Sequence, residues 1–375
     1  MPFESSDEPV LTAEPSRLTL FPIKFHAIWR FYRWRAESAQ SWALDPLVFD
    51  ADLKSWESPP SPVVRHTIIF YIDLMLRGHQ RMFDGLYHAV LEKITCPEVR
   101  CVLELFISKE NVQADALYRA KKAFVDAMPP DDTPPFVYDD DVLEGLLEEK
   151  LLFTSVSDDS QRSVVDGLLI LASAKRVFSF SIYSVLQWIL VVNNFRLPGL
   201  LRIIERIELD ADSFVHFISL VLCHMPRRPP YEQFDRALSR AVSIEHRFAK
   251  NVISPADVDP LSAWITHESM KDYINYVAHT FYQSLGHRAK IYWPNSMQYP
   301  WMNHTEGRGV AFILERAMEN AYSEEVPPYT DHPIAGKGLI NEYSYPPPDN
   351  RPSPVTSEHD FDEGDCDDDY DMETL

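Results

Sequence analysis

The stretch EVRCVLELFISKENVQADALY, residues 98–118, decides the fold. Phe106, Glu110, Gln113 and Leu117 recur at steps of three and four, so a helix sets all four on one face. Just upstream, Thr95, Pro97 and Glu98 make a helix start: the threonine hydroxyl can cap a free backbone N–H, proline suits the first turn, and the acid answers the cap. The face therefore carries a carboxylate and an amide inside an apolar stripe. Buried, those groups need a partner or a proton. What the other helices place opposite them decides the chemistry.

Working outward, Ser61-Pro62 opens a long helix to about Leu91 whose inner face reads Ile72, Leu76, His79, Phe83 and Leu86. Before it, residues 17–46 open with an extended apolar clause and continue as a helix bearing Ile28, Trp29, Phe31, Tyr32 and Trp34, the spacing of a packing seam. Trp42 and Trp56 bracket a polar connector. Downstream, residues 127–150 form a proline- and aspartate-rich surface excursion with a short helix. Two further long helices, 160–192 and 197–224, are divided by the turn at Pro198-Gly199. The first carries a stripe of Ile170, Ala174 and Val177 ending on Ser181; the second carries Ile204, Ile207, Ala211, Phe214 and Ile218. Helices near 231–252 and 260–287 follow, the latter with Trp264, Met270, Tyr273, Tyr276 and Val277.

No dinucleotide fingerprint, phosphate loop, nucleophile elbow or repeat is present, and β-alternation is scarce, so the expected fold is an all-α, bundle-like domain. A formal charge of −22 argues against a nucleic-acid surface and favours solubility or a basic protein partner. Cys96, Cys101, Cys223 and Cys366 form neither a disulfide framework nor paired metal-ligand spacings, which points to a reducing cytoplasm or nucleus. The start is acidic and lacks an apolar signal run, and the apolar segments near 164–174 and 182–192 are each too short to span a membrane. The chain divides into a disordered leader (1–16), a helical domain (17–325), a proline-rich linker (326–356) and an acidic tail (357–375). From 358 to 375 the tail holds ten acidic side chains and no Lys or Arg. Such a block can serve as a solubilising tail, yet Phe361, Tyr370, Met372 and Leu375 punctuate it, which better suits a peptide that docks into a partner's groove.

The order of pieces resembles the small, radical-generating subunit of class I ribonucleotide reductase. The resemblance rests on LFPIKFHAIW (20–29), the AES…W…DLKSWE frame (36–57), PEVRC (97–101), EN (110–111), LPGL (197–200), AVSIEHRF (241–248), MKDYINYVAHTFYQSLG (270–286), YPWM (299–302) and EGRG (306–309). It implies a ferritin-like helical bundle that holds two irons with Asp on one helix, Glu-x-x-His on the next, Glu on the third and Glu-x-x-His on the fourth.

Laid on that pattern, His79 stands at the Asp position and Glu110 at the first Glu. Gln113 replaces the following His, Val177 the next Glu, and Ala211 and Phe214 the last Glu and His. One ligand of six is kept. The radical tyrosine's position is Leu117; Tyr118 beside it points roughly 100° away around the helix. Trp42 and Asp210 match the family's relay tryptophan and acid, for which packing and an indole–carboxylate hydrogen bond give a structural account. Two irons bring roughly four positive charges, and one carboxylate among Val, Ala and Phe cannot balance them. No cofactor is therefore expected. A diiron centre would require different ligands from these, and His79, Glu110 and Gln113 together offer at most one weak metal site. His216, two residues past Phe214, faces elsewhere. Glu110 then needs another partner, His79, or Lys175 or Arg176, which precede Val177, unless helix rotation exposes it to water.

The resemblance implies a catalytically degenerate small-subunit paralogue. Such a protein stabilises or assists an active small subunit in deoxyribonucleotide synthesis, pairing as a homo- or heterodimer through the aromatic early helices. The acidic tail would reach the large subunit. A metal-dependent oxidoreductase with an altered site on the same scaffold is the alternative, and a purely structural protein without reductase partners is a third. Neither nucleic acid nor membrane is an expected partner.

Overall fold

A computed structural model describes residues 9–12, 19–44, 49–58, 62–130, 139–155, 163–192, 195–226, 228–253, 265–284 and 299–302. The described residues are helical, without a strand. The helices are α1 (His26–Leu44), α2 (Asp50–Trp56), α3 (Pro62–Lys93), α4 (Pro97–Asp126), α5 (Asp140–Thr154), α6 (Val164–Val177), α7 (Phe180–Gln187), α8 (Pro198–Cys223), α9 (Tyr231–Val252) and α10 (His267–Ser284). A π-helical turn, Trp188–Val192, extends α7, and a 3-10 turn covers Pro300–Met302.

The long helices follow the apolar periods. On α4, Phe106, Glu110, Gln113 and Leu117 are all buried, while Tyr118, one residue on, is 59% exposed. The α8 stripe from Ile204 to Ile218 is likewise buried. α4 packs between α3, α1 and α8, and α6 packs against α9, α8 and α3. One polar face of α4 is thereby enclosed. Gly167 lets α6 approach α3 closely, since a Cβ there would lie 2.9 Å from Val90 Cγ2.

Several expectations change. The helix expected over 160–192 is interrupted: Phe178 is extended and Ser179 adopts φ 73°, a left-handed conformation, so α6 ends and α7 restarts at a new angle. Ser179 carries no glycine-like signal that could announce the break. The cap of α4 shifts by one residue, because Pro97 takes the first helical place and leaves Cys96 as N-cap without a side-chain cap bond. Glu98 instead accepts from the backbone N–H of Lys24 (2.8 Å) and Phe25 (3.3 Å), tying the entry of α1 to α4. Residues 9–12 are not a solvated leader. Val10 and Leu11 are buried, and the Leu11 carbonyl accepts from Thr95 N (2.9 Å) and Cys96 N (3.1 Å). Two apolar side chains in an acidic segment find the seam before α4. The short helix of the surface excursion is a 15-residue element, α5, capped by Asp139 through Asp141 N and Val142 N. The described helix near the end starts at His267, and Trp264, the 326–356 linker and the tail lie outside the described residues. One helical run, Val164–Val191, is long and apolar enough to cross a membrane by composition, and its apolar window is wholly buried in the bundle.

Asp52 on α2 closes the start of α8. Its Oδ1 accepts from Gly199 N at 2.8 Å and its Oδ2 from Leu200 N at 3.0 Å, satisfying two of the N–H groups a helix start leaves open. Burial raises the carboxyl to about 7, against the pull of those two N–H groups. The folded chain therefore holds this proton more tightly than the unfolded one. The resulting stability is fully present below the ordinary aspartate value and is lost as pH rises through about 7. Urea unfolding between pH 4.5 and 8 is expected to show Asp52→Asn with a flatter fall in stability than the unsubstituted chain. Parallel pH profiles would contradict the assignment.

Candidate functional site

Four helices converge on the polar face of α4. Glu110 and Gln113 are one turn apart on that face, and Lys109 and Gln113 are i and i+4, so both can reach one neighbour on α8. That neighbour is Asp210. Its Oδ1 accepts from Lys109 Nζ at 2.6 Å and from Arg35 of α1, and its Oδ2 accepts from Gln113 Nε2 at 2.9 Å. Burial pushes the Asp210 carboxyl up, but Lys109, Arg35 and the Gln113 amide overcome it and hold the group below the usual aspartate range. The same burial brings Lys109 down to about 8, offset in part by Asp210. It also lowers Arg35 from its ordinary value.

Glu110 meets the Lys175 ammonium, which comes across from α6. That ammonium also lies 4.2 Å from the centre of the Phe83 ring on α3. Burial lowers Lys175 to about 7, with Asp210 acting in the opposite sense. Of the partners considered for Glu110, the neighbouring Arg176 goes elsewhere, to Asp212 and to Thr280 Oγ1 at 3.0 Å. His79 lies within α3, but its side chain is outside the described residues.

The remaining positions of the expected ligand set are apolar and buried. Val177, Ala211 and Phe214 line the neighbourhood as packing, with Phe214 edge-on to Phe106 (centroids 5.0 Å apart) and to Tyr87 (5.9 Å). Leu117, expected at the radical-tyrosine position, is buried. His216 turns toward α1, its ring 5.9 Å from Phe31, and burial lowers its imidazole to about 4. The Trp42 side chain, expected to hydrogen-bond Asp210, lies outside the described residues; among these, Asp210 accepts from Arg35, Lys109 and Gln113. Among the described residues, no three His, Cys, Asp or Glu side chains gather in a group that could hold a metal ion. The docking positions Phe361, Tyr370, Met372 and Leu375 lie outside the described residues.

Sequence reasoning missed Arg35 and Lys109. For Lys109 the signal was available in its i, i+4 relation to Gln113; for Arg35, 175 residues from Asp210, nothing local gave it. A further buried pair was also missed. Lys150 of α5 reaches Glu245 Oε2 at 2.7 Å with its Nζ 3.3 Å from the Phe248 ring centre, and Ser181, the end of the α6–α7 stripe, donates to Glu245.

The helices and their enclosed polar face define a ferritin-like helical bundle. The profile of the family described as ribonucleotide reductase, small chain, matches residues 17–296, and the chain belongs to that family. The ribonucleoside-diphosphate reductase small chain of Neurospora crassa is 25% identical over 289 residues, 77% of this chain and 68% of that one. Subunit M2 of the human enzyme is 23% identical over 296 residues, covering 75% and 69%. The Monkeypox virus small chain is 25% identical over 299 residues, covering 76% and 85%. Among solved structures, the Rnr4 homodimer of Saccharomyces cerevisiae aligns with a TM-score of 0.58 at 21% identity over 75% of this chain and 86% of that one. A class I reductase structure from Bacillus halodurans aligns with a TM-score of 0.52 at 15% identity, over 73% and 96%. These two likenesses concern the fold.

Removing one member of a buried ion pair strands the other, at a cost of about 3–5 kcal/mol, whereas replacing both with apolar groups is often neutral. Lys175→Met is thus expected to destabilise by roughly that amount, and Lys175→Met with Glu110→Leu to recover most of it. Urea unfolding of the single and double variants measures the coupling. Additive losses would show that the two groups do not depend on each other.

Proposed function

We propose that this chain is a ribonucleotide reductase small-subunit-like protein without metal or radical chemistry of its own, which stabilises or assists an active small subunit in deoxyribonucleotide synthesis. The observation that carries the reading is the Lys175 ammonium at Glu110. The one carboxylate inherited at an expected ligand position is already neutralised by a covalently attached cation. Around it stand Arg35, Lys109 and Lys175 against Asp210 and Glu110, three cations to two acids.

A pair of iron ions does not fit this donor set. A divalent ion about 4 Å from an ammonium is repelled by roughly 8 kcal/mol at an effective dielectric of about 20. Val177, Ala211 and Phe214 supply no compensating donors. Leu117 has no phenol to oxidise, and Asp210, held by two cations and an amide, has its oxygens committed to donors. In this reading the chain's own cations hold the site's two acids and keep the bundle in the shape of a small subunit. That shape offers a pairing surface to an active sister or to a second copy, and the acidic tail at 357–375 reaches the large subunit. A reducing compartment, cytoplasm or nucleus, suits the four scattered cysteines.

The test combines metal analysis by mass spectrometry, anaerobic reconstitution with ferrous iron and oxygen, and mixing with an active small subunit of the same organism. The expected result is near-zero iron, no near-ultraviolet diiron or tyrosyl-radical absorption, and a stable mixed complex. Two irons per chain after reconstitution would overturn the reading. A single tightly bound metal with turnover would instead support the altered oxidoreductase.

A further inference from the structure

We propose that the outer face of α1 is a docking surface for this chain's own acidic segment, residues 358–375. His26, Trp29, Arg30 and Arg33 fall at i, i+3, i+4 and i+7 and so share one side of the helix. The three basic side chains are exposed. Trp29 is stacked on Tyr32 with ring centres 4.9 Å apart, and Phe21, 67% exposed, meets Trp29 edge-on at 6.3 Å. The face is therefore an aromatic platform rimmed by cations.

Acidic side chains outnumber Lys and Arg by 57 to 35, and several surface cations are paired with them. Arg77 holds Asp73, Arg119 holds Asp115, Lys122 holds Asp126 and Arg247 holds Glu149. Arg30 and Arg33 hold no carboxylate among the described residues. Two exposed guanidinium groups that hold no carboxylate among the described residues, beside aromatic rings on a net-negative molecule, present a site for an acidic, aromatic peptide.

The chain itself carries such a peptide. Residues 358–375 hold ten acids and no Lys or Arg, with Phe361, Tyr370 and Met372 set among them. Carboxylates would take the guanidinium forks, and a phenyl or phenol ring would cover Phe21 and Trp29. Reach is no obstacle: the roughly 55 residues between Met302 and Glu358, at about 3.3–3.6 Å each when extended, exceed the dimensions of the bundle several-fold. Docking there would hold the acidic segment against the bundle until a partner competes for it. This inference stands whether or not the large subunit is that partner.

Cys366 lies within the segment and permits a direct trap. In the full chain, with the exposed Cys223 changed to Ser, an Ala27→Cys substitution places a thiol beside the face while leaving Arg30 and Arg33 intact. Mild oxidation is expected to join position 27 to Cys366 within one chain, read by non-reducing peptide mass mapping. Adding Arg30→Glu and Arg33→Glu is expected to slow trapping at least about tenfold, as is 1 M salt, which shortens the screening length to about 3 Å. Both arginines are exposed, and thermal melts monitor that the bundle is unaffected. Equal trapping rates with and without the charge reversal would overturn the proposal, since chance collision would then account for the bond. A disulfide formed only between chains would overturn it in favour of a second copy as occupant.

Discussion

Inside this bundle a buried charged group needs a counter-charge, hydrogen-bond donors or a change of protonation, because the surrounding apolar side chains cannot solvate it. Glu110 and Asp210 set the terms. Lys175 crosses from α6 to the first, and Arg35 and Lys109 converge from α1 and α4 on the second. These contacts link four helices at one depth, so their relative rotation is fixed as much by charge matching as by packing. The same logic recurs one layer away, where Lys150 of α5 reaches Glu245 of α9. Such pairs give little net stability over a well-packed hydrophobic core, but they penalise every arrangement that separates them.

In the proposed reading, amino-acid side chains meet that requirement from within. A lysine in place of a metal is then chemically coherent only if the acids are also thinned out, and Val177, Ala211 and Phe214 stand where the family resemblance leads one to expect further donors. Charge matching thus ties Glu110 to Lys175, and Asp210 to Arg35 and Lys109. The aromatic rings of Phe83, Phe106 and Phe214 occupy the volume between them.

Much of this was legible in the chain. The 3.6-residue period on α4 and α8 gave the helices and their buried faces, because those segments are long and their apolar stripes unbroken. The partner of Glu110 was legible only as a set, since His79, Lys175 and Arg176 all lie within side-chain reach of the same face and the choice depends on helix rotation. Structure separated Lys175 from Arg176, one residue apart, by sending the second to Asp212 and Thr280. Arg35 was invisible, because a contact across 175 residues leaves no local trace. The left-handed Ser179 was invisible for the opposite reason: it is local, but a serine between two apolar helical runs carries no turn signature.

Gly167 acts at a distance through a rigid lever. Its missing side chain lets α6 settle against Val90, and Lys175 sits eight residues further along the same rod, about 12 Å away. A Cβ added at that fulcrum would meet Val90 Cγ2 at 2.9 Å, so the valine side chain or the rod must give, and a shift of the rod would move the ammonium relative to its carboxylate. The smallest residue in α6 therefore calibrates where the bundle's central positive charge comes to rest.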